Sequence, residues 1–270
     1  MGGWEDLLTK SATKDTKNIK PVAPVKTPAR APKRRPIIAV ENVTRRFQVG
    51  KDREVEALRG VDLEIYKGDF LVIFGPSGCG KSTLMNIMTG IDKPTSGKVW
   101  LGRYDFSGLG DEHRGTVRAR NYGIVYQMAW WVRSLNVLEN VALPLYIRGK
   151  SRDEARETAM EKLKELHVDH LGNQLPTQLS GGEQQQVEIA RALVVDPAII
   201  VADEPTGNLD SFAADKLMGY FDFLNREYGK TVILITHNSA YWTIGTRRAE
   251  MRDGKIIKVT EQQNHLGQRT

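Results

Sequence analysis

"DFLVIFGPSGCGKSTLMNIMTG", residues 69–90, decides the fold. The apolar run before Gly75 reads as a buried strand, and a helical pattern over residues 81–90 follows a turn with glycines at 75, 78 and 80. Strand, glycine-rich turn and helix in that order are the context a P-loop requires. The glycines let backbone N–H groups curl around β- and γ-phosphates without side-chain clash. Lys81 neutralises phosphate charge, and the Ser82 hydroxyl can sit on Mg²⁺. Gly75, Pro76, Ser77, Gly78, Cys79, Gly80, Lys81, Ser82 and Thr83 are therefore the expected cradle for a nucleotide. A chance glycine-rich turn is the bland alternative, and the flanking strand and helix argue against it.

Working outward, "IIAVENV" (37–43), "YGIVYQ" (122–127), "AIIVADE" (198–204) and "TVILITH" (231–237) read as further buried strands. Helical patterns cover 151–167, 183–195 and 211–228. Continuous rather than alternating hydrophobicity in the strands predicts a largely parallel sheet covered on both faces, an α/β fold of the nucleotide-binding kind. Where "AIIVADEP" leaves the sheet it supplies two acids. Asp203 is the candidate Mg²⁺ partner and Glu204 the candidate base that polarises an attacking water. Alone, such a pair is usually surface punctuation; behind a buried strand in a chain with a P-loop it gains meaning. His237 ends a strand, where a lone histidine is more often a local hydrogen-bonding group than a catalytic one.

"LSGGEQQQVEIARAL", residues 179–193, looks like a second phosphate cradle. A Ser and two glycines open a helix whose unpaired N–H groups and positive dipole end suit an anion. By itself the stretch reads more readily as an ordinary helix start than as a ligand site.

The net charge of +6 is confined to one end: residues 1–36 hold nine Lys/Arg and three Asp/Glu, and the other 234 residues carry thirty of each sign. A neutral core argues against a specific nucleic-acid partner. Residues 10–36 contain five prolines and read as a disordered, basic arm, either a solvated linker or a contact with anionic lipid. Trp4, Leu7 and Leu8 ahead of it form one potential apolar helix face. A single cysteine excludes an internal disulfide and a cysteine-rich zinc site. No apolar run approaches the roughly 18 residues of a spanning helix, and no secretory signal is expected.

A bare P-loop leaves adenylate-type kinases, GTPases and many ATPases open. The order and spacing of "GPSGCGKST", "LSGGEQ", "DEPTGNLD" and "THN" resolve this, since together they resemble the ATPase domain of ATP-binding cassette (ABC) proteins over about residues 37–258. The resemblance implies a P-loop NTPase (RecA-like) core, a helical signature subdomain at about 128–189 and an antiparallel N-terminal β region, with a basic arm at 1–36 and a tail at 259–270. It implies ATP and Mg²⁺ as ligands, and a head-to-tail homodimer in which Ser180, Gly181, Gly182 and Glu183 of one subunit close over the nucleotide on the P-loop of the other. Residue by residue, Phe47 matches the aromatic that stacks on adenine. Gln127 matches the glutamine that contacts Mg²⁺ and the attacking water. Asn208, Leu209 and Asp210 match the loop that communicates across the dimer, and His237 the switch at the γ-phosphate. With the set complete, an active ATPase is expected.

"STLMNIMTGIDKPTSGKVWL", "NVLENVALPL" and "ADEPTGNLDS" resemble the lipoprotein-releasing, macrolide-efflux-like and cell-division subgroup most closely. That resemblance implies a transmembrane permease partner with an extracytoplasmic domain, and a peripheral place on the cytoplasmic face of the inner membrane. Regulation of cell-wall enzymes through such a partner is the second reading. A soluble role in DNA repair, chromosome structure or translation is the third; the coiled coils, zinc insertions or paired ATPase domains usual there are not present in the sequence. Trp130 and Trp131 read either as core aromatics or as exposed anchors for the partner. Gln186 and Glu188 depart from the basic and small residues usual in relatives. Cys79, in the P-loop near a helix start, is expected to have enhanced thiolate character, so that thiol reagents inhibit and ATP protects.

Overall fold

Phe70–Phe74 (β3) is buried at all five positions, and that is possible only for a strand covered on both faces. In the computed structural model, which describes residues 35–126 and 130–262, β3 lies inside a six-stranded sheet. The other strands are β6 (Tyr122–Val125), β7 (Ile199–Asp203), β8 (Thr231–Thr236), β9 (Arg247–Arg252) and β10 (Lys255–Glu261), and the spatial order is β10-β9-β3-β8-β7-β6. The β3–β8, β3–β9, β6–β7 and β7–β8 pairs are parallel, and only the β9–β10 edge hairpin is antiparallel. Four of the five strands expected from apolar runs belong to this sheet. The fifth starts a separate antiparallel sheet, order β2-β1-β4-β5, built from β1 (Pro36–Val49), β2 (Arg53–Tyr66), β4 (Ser96–Leu101) and β5 (Tyr104–Asp105).

Side-chain alternation along β3 sorts the core into two layers. Leu71 and Ile73 pack with Ile38, Leu58 and Val99 of the antiparallel sheet and with Leu84, Met85 and Met88 of α1 (Lys81–Met88). Phe70 and Val72 face the opposite way, onto Leu217, Met218, Phe221 and Leu224 of α6 (Ser211–Tyr228). Helix α2 (Asp111–Asn121) leads into β6 and buries only Arg114.

A third cluster unites α3 (Val137–Ile147), α4 (Arg152–Glu165) and α5 (Gly181–Leu193). Helix α5 belongs to two layers at once. Val187 and Ala190 join the helical cluster, while Ile189, Ala192 and Leu193 join the layer under the parallel sheet. The signature helix is thereby the mechanical seam between the helical part and the sheet. Strand β10 runs to Glu261, past the end expected at 258. Residues 1–34 of the basic arm, the final eight residues and Gln127 lie outside the described residues, while Pro36, expected at the end of the arm, begins β1.

Candidate functional site

The P-loop is shaped by two close backbone approaches. Gly75 has φ +158°, and a Cβ there would sit 2.0 Å from the Met251 carbonyl oxygen. Gly80 has φ +104°, and its Cβ would meet the Ala57 oxygen at 2.6 Å. Both contacts press the loop onto β2 and β9, leaving Pro76, Ser77 and Gly78 exposed. The Lys81 side chain folds back under this arch. Its buried ammonium donates to the carbonyl oxygens of Gly75 at 2.9 Å and Pro76 at 3.0 Å, so a cation is held at the centre of the cradle.

Beside it, at the end of β7, Asp203 is buried and one carboxylate oxygen has no hydrogen-bond partner. Burial raises its pKa above the ordinary aspartate value, Glu204 adds to the rise, and the Ser82 hydroxyl and Lys81 oppose it. A buried carboxylate oxygen with no donor fits a cation site. No cluster of three or more His, Cys, Asp or Glu that could hold a metal occurs among the described residues. Asp203 with the Ser82 hydroxyl beside it suits Mg²⁺, which takes one or two carboxylates and completes its shell with water and phosphate oxygens.

Glu204 adopts the left-handed backbone, φ +47°, an uncommon conformation for a residue with a side chain. The turn aims its carboxylate at the end of β8. There Oε1 accepts the His237 backbone N–H at 2.9 Å and lies 2.7 Å from His237 Nδ1, and Oε2 accepts the Thr236 hydroxyl at 3.2 Å. The candidate base and the candidate switch are in direct contact, the acid half-buried and the imidazole mostly exposed. Asp210 caps α6 by accepting the Ala213 N–H at 2.8 Å.

The signature residues do not join this constellation within one chain. Gly75, Pro76, Ser77 and His237 line one open cleft of about 720 Å³. Ser180, Gly182 and Glu183 line another of about 720 Å³, with Leu209 and Phe212. Ser180 caps α5 through a capping box, Glu183 Oε2 accepting both its N–H at 2.8 Å and its hydroxyl at 2.7 Å. Gly181 faces Asn208 and Gly182 faces Leu209, so the signature stands against the loop before α6.

Three expectations change or sharpen. The Cys79 thiol is 5% exposed and packs into the core cluster. Its backbone belongs to the cradle while its sulfur is buried 3.9 Å from the Lys81 ammonium, so a thiol reagent has little access to it. Trp130 and Trp131 divide the two readings, Trp130 being 76% exposed and Trp131 packed on the helical cluster. Phe47 is half-buried in β1 with the Arg45 guanidinium 4.5 Å over one face. The sequence reading also missed the wall of the first cleft, where Trp242 stacks on Phe74 at 4.4 Å beside Arg248, Arg252 and Lys258 of the β9–β10 hairpin. Cations at 248, 252 and 258 around the Asp253-Gly254 turn were its only signal.

The ABC transporter family profile matches residues 58–207. The chain belongs to the ABC transporter family. The lipoprotein-releasing system ATP-binding protein LolD 1 of Chlorobium chlorochromatii is 38% identical over 221 residues, covering 82% of this chain and 90% of that protein. The ABC transporter ATP-binding protein MJ0796 of Methanocaldococcus jannaschii is 42% identical over 224 residues, covering 82% and 95%. The dimeric structure of the MJ0796 cassette bound to ADP and Pi superposes with a TM-score of 0.80 at 38% identity, covering 84% of this chain and 99% of that one. The P-loop cassette fold and the ATP-binding, ATP-hydrolysing class implied by the motifs therefore hold for this ABC ATPase, and relatives named for lipoprotein release match the subgroup that the motifs resembled.

Proposed function

We propose that this ABC ATPase hydrolyses ATP at two composite sites of a head-to-tail homodimer and passes the resulting motion to a separate transmembrane permease. The observation that carries the reading is the separation of P-loop and signature residues into two clefts of one chain. A two-fold pair completes both sites at once. The dimeric form of the MJ0796 cassette supports the same arrangement.

In this reading the loop Gly75–Gly80, through its backbone N–H groups other than at Pro76, which has none, and the Lys81 ammonium hold the β- and γ-phosphates, Thr83 adds a hydroxyl, and Phe47 stacks adenine on the face away from Arg45. Ser82, Asp203 and Gln127 would hold Mg²⁺, which supplies charge neutralisation at the phosphates when bound. Glu204, fixed by the Thr236 hydroxyl and the His237 backbone N–H, accepts the proton of the attacking water. His237 exchanges its Glu204 contact for the γ-phosphate. Ser180 and Gly182 of the other subunit close the site, with Gly181 and Glu183 shaping the helix start and Asp210 bracing the loop beside it.

No helix among the described residues is long and apolar enough to cross a membrane; in this reading a partner supplies the spans. The partner we favour is a permease with an extracytoplasmic domain, as in lipoprotein release. The exposed Trp130 ring supplies the anchor, and the basic arm touches anionic lipid at the cytoplasmic face of the inner membrane.

Mixing two inactive subunits tests the composite site. Lys81→Ala and Ser180→Arg should each abolish hydrolysis alone. In an equimolar mixture, random pairing restores one intact site in half of the dimers, about a quarter of wild-type activity. No recovery, with mixed dimers demonstrated, would mean that each site lies within one chain.

A further inference from the structure

One face of the signature helix grips the chain on both sides of residues 127–129. Gln184, Glu188 and Arg191 follow one another at spacings of four and three along α5 and therefore share a stripe. At one end, Glu188 Oε1 accepts the backbone N–H of Tyr126 at 2.9 Å, where the chain leaves β6. At the other, Arg191 donates to the Trp130 carbonyl at 2.5 Å and stacks its guanidinium 4.5 Å over the Trp131 ring. The Trp131 indole N–H donates to Gln184 Oε1 at 3.3 Å. Arg191 and Glu188 are 3.7 Å apart, which joins the two ends of the clasp.

We propose that Glu188 is a positioning residue that locks the exit of β6 to the signature helix, so that the nucleotide-facing sheet and the Ser180 end of α5 move as one unit. Three features separate this from simple packing. Glu188 is 1% exposed and its carboxylate reaches across 62 residues of sequence to a main-chain donor. Its second oxygen has no partner, so the Tyr126 bond is the hydrogen bond that orders the group, with the Arg191 guanidinium 3.7 Å from the same oxygen. The neighbouring seam already carries ample apolar contact through Val187, Ile189 and Ala190, and a small side chain would suffice if filling space were the task. The clasp also gives the exposed Trp130 surface a short route to α5, since its carbonyl is held by Arg191. A force that displaces Trp130 is resisted at the signature helix rather than dissipated in the segment between.

This inference rests on the ATPase reading for its kinetic arm alone. Glu188→Ala removes the acceptor, and Glu188→Gln keeps a carbonyl oxygen for the Tyr126 N–H at nearly constant volume. The expected result is a kcat about tenfold lower in the Ala variant with KM for ATP within about twofold, the loss of roughly one hydrogen bond to a charged group. The Gln variant should stay within about twofold of wild type in both. Hydrogen exchange provides a readout independent of turnover: the Tyr126 amide should exchange about tenfold or more faster in the Ala variant and remain protected in the Gln variant. Unchanged Tyr126 exchange in folded Glu188→Ala would overturn the clasp even if hydrolysis fell. Equal kinetic loss in both variants would overturn the positioning role, and so would wild-type kinetics in both. If the Ala variant does not fold, Glu188→Asp takes its place, because the shorter side chain keeps the charge but withdraws the acceptor. An inactive wild-type protein would fail the ATPase reading and leave the exchange comparison standing.

Discussion

Replacing Glu188 with Gln should stabilise the protein at pH 8 and leave it unchanged at pH 4.5. The carboxyl is buried at the seam, with one accepted hydrogen bond from Tyr126, Arg191 at 3.7 Å, and one oxygen unpartnered. Burial dominates and pushes its pKa from 4.5 to about 7, against the Tyr126 N–H and Arg191, which favour the charged form. A carboxyl whose pKa is raised on folding binds more protons in the native state than in the unfolded state. Its cost to stability is absent below 4.5, grows as pH rises, and is complete above about 7. A rise from 4.5 to about 7 corresponds to about 3 kcal/mol. The Gln side chain carries no charge and still accepts from Tyr126, and its unpartnered amide group matches the unpartnered hydroxyl of the protonated acid, so the two proteins differ little at pH 4.5. The net gain at pH 8 is therefore about 3 kcal/mol, or roughly 6–12 °C in Tm for a domain of this size. Thermal melts of both proteins from pH 4.5 to 8.5 at constant ionic strength measure the difference directly, since groups that titrate alike in both, including Asp203, cancel. The difference should open between pH 5 and 7 and then level off. A difference independent of pH, or a Gln variant less stable at pH 8, would refute burial as the dominant influence on Glu188.

Asp203→Asn should cut phosphate release about 100-fold or more while Tm holds or rises, because a buried charge with an unpartnered oxygen is removed; a parallel collapse of Tm would instead make Asp203 structural. Gly75→Ala adds a Cβ 2.0 Å from the Met251 carbonyl oxygen and should weaken ATP binding, measured calorimetrically, by about tenfold or more as the arch shifts; unchanged affinity would contradict the cradle geometry. Trp130→Ala, at a position 76% exposed, should move Tm by less than about 1 °C yet reduce co-purification of a membrane protein from detergent-solubilised cells. Retained co-purification would remove Trp130 from the docking surface.

What could be read from the chain follows burial. Strands β3, β7 and β8 are buried at every position, so their apolar runs are unbroken and legible. Strand β2 alternates exposed acids and arginines with Leu58, Val61, Leu63 and Ile65, and β9 buries only Ala249 and Met251. Neither presents a continuous run, and their pairing depends on partners elsewhere in the sequence. Helix α2 has no apolar stripe because it buries one arginine. The residues of the P-loop and the acid pair were legible because phosphate and metal chemistry restricts them to few types at fixed spacing. The left-handed turn at Glu204 and its contact with a histidine 33 residues away were not. Backbone conformation and tertiary approach leave no local periodicity. Cys79 shows the same limit from the other side: its place beside a helix start suggests reactivity, and only the packing reveals that the sulfur faces the core.

The most direct measurement is the mass of Glu204→Gln in solution by light scattering, with and without Mg-ATP. The account predicts the 30.3 kDa chain without nucleotide and a particle of twice that mass with ATP, reverting with ADP and abolished by adding Ser180→Arg. A particle that stays at 30.3 kDa in saturating ATP, or a dimer indifferent to nucleotide and to Ser180, would contradict the composite site.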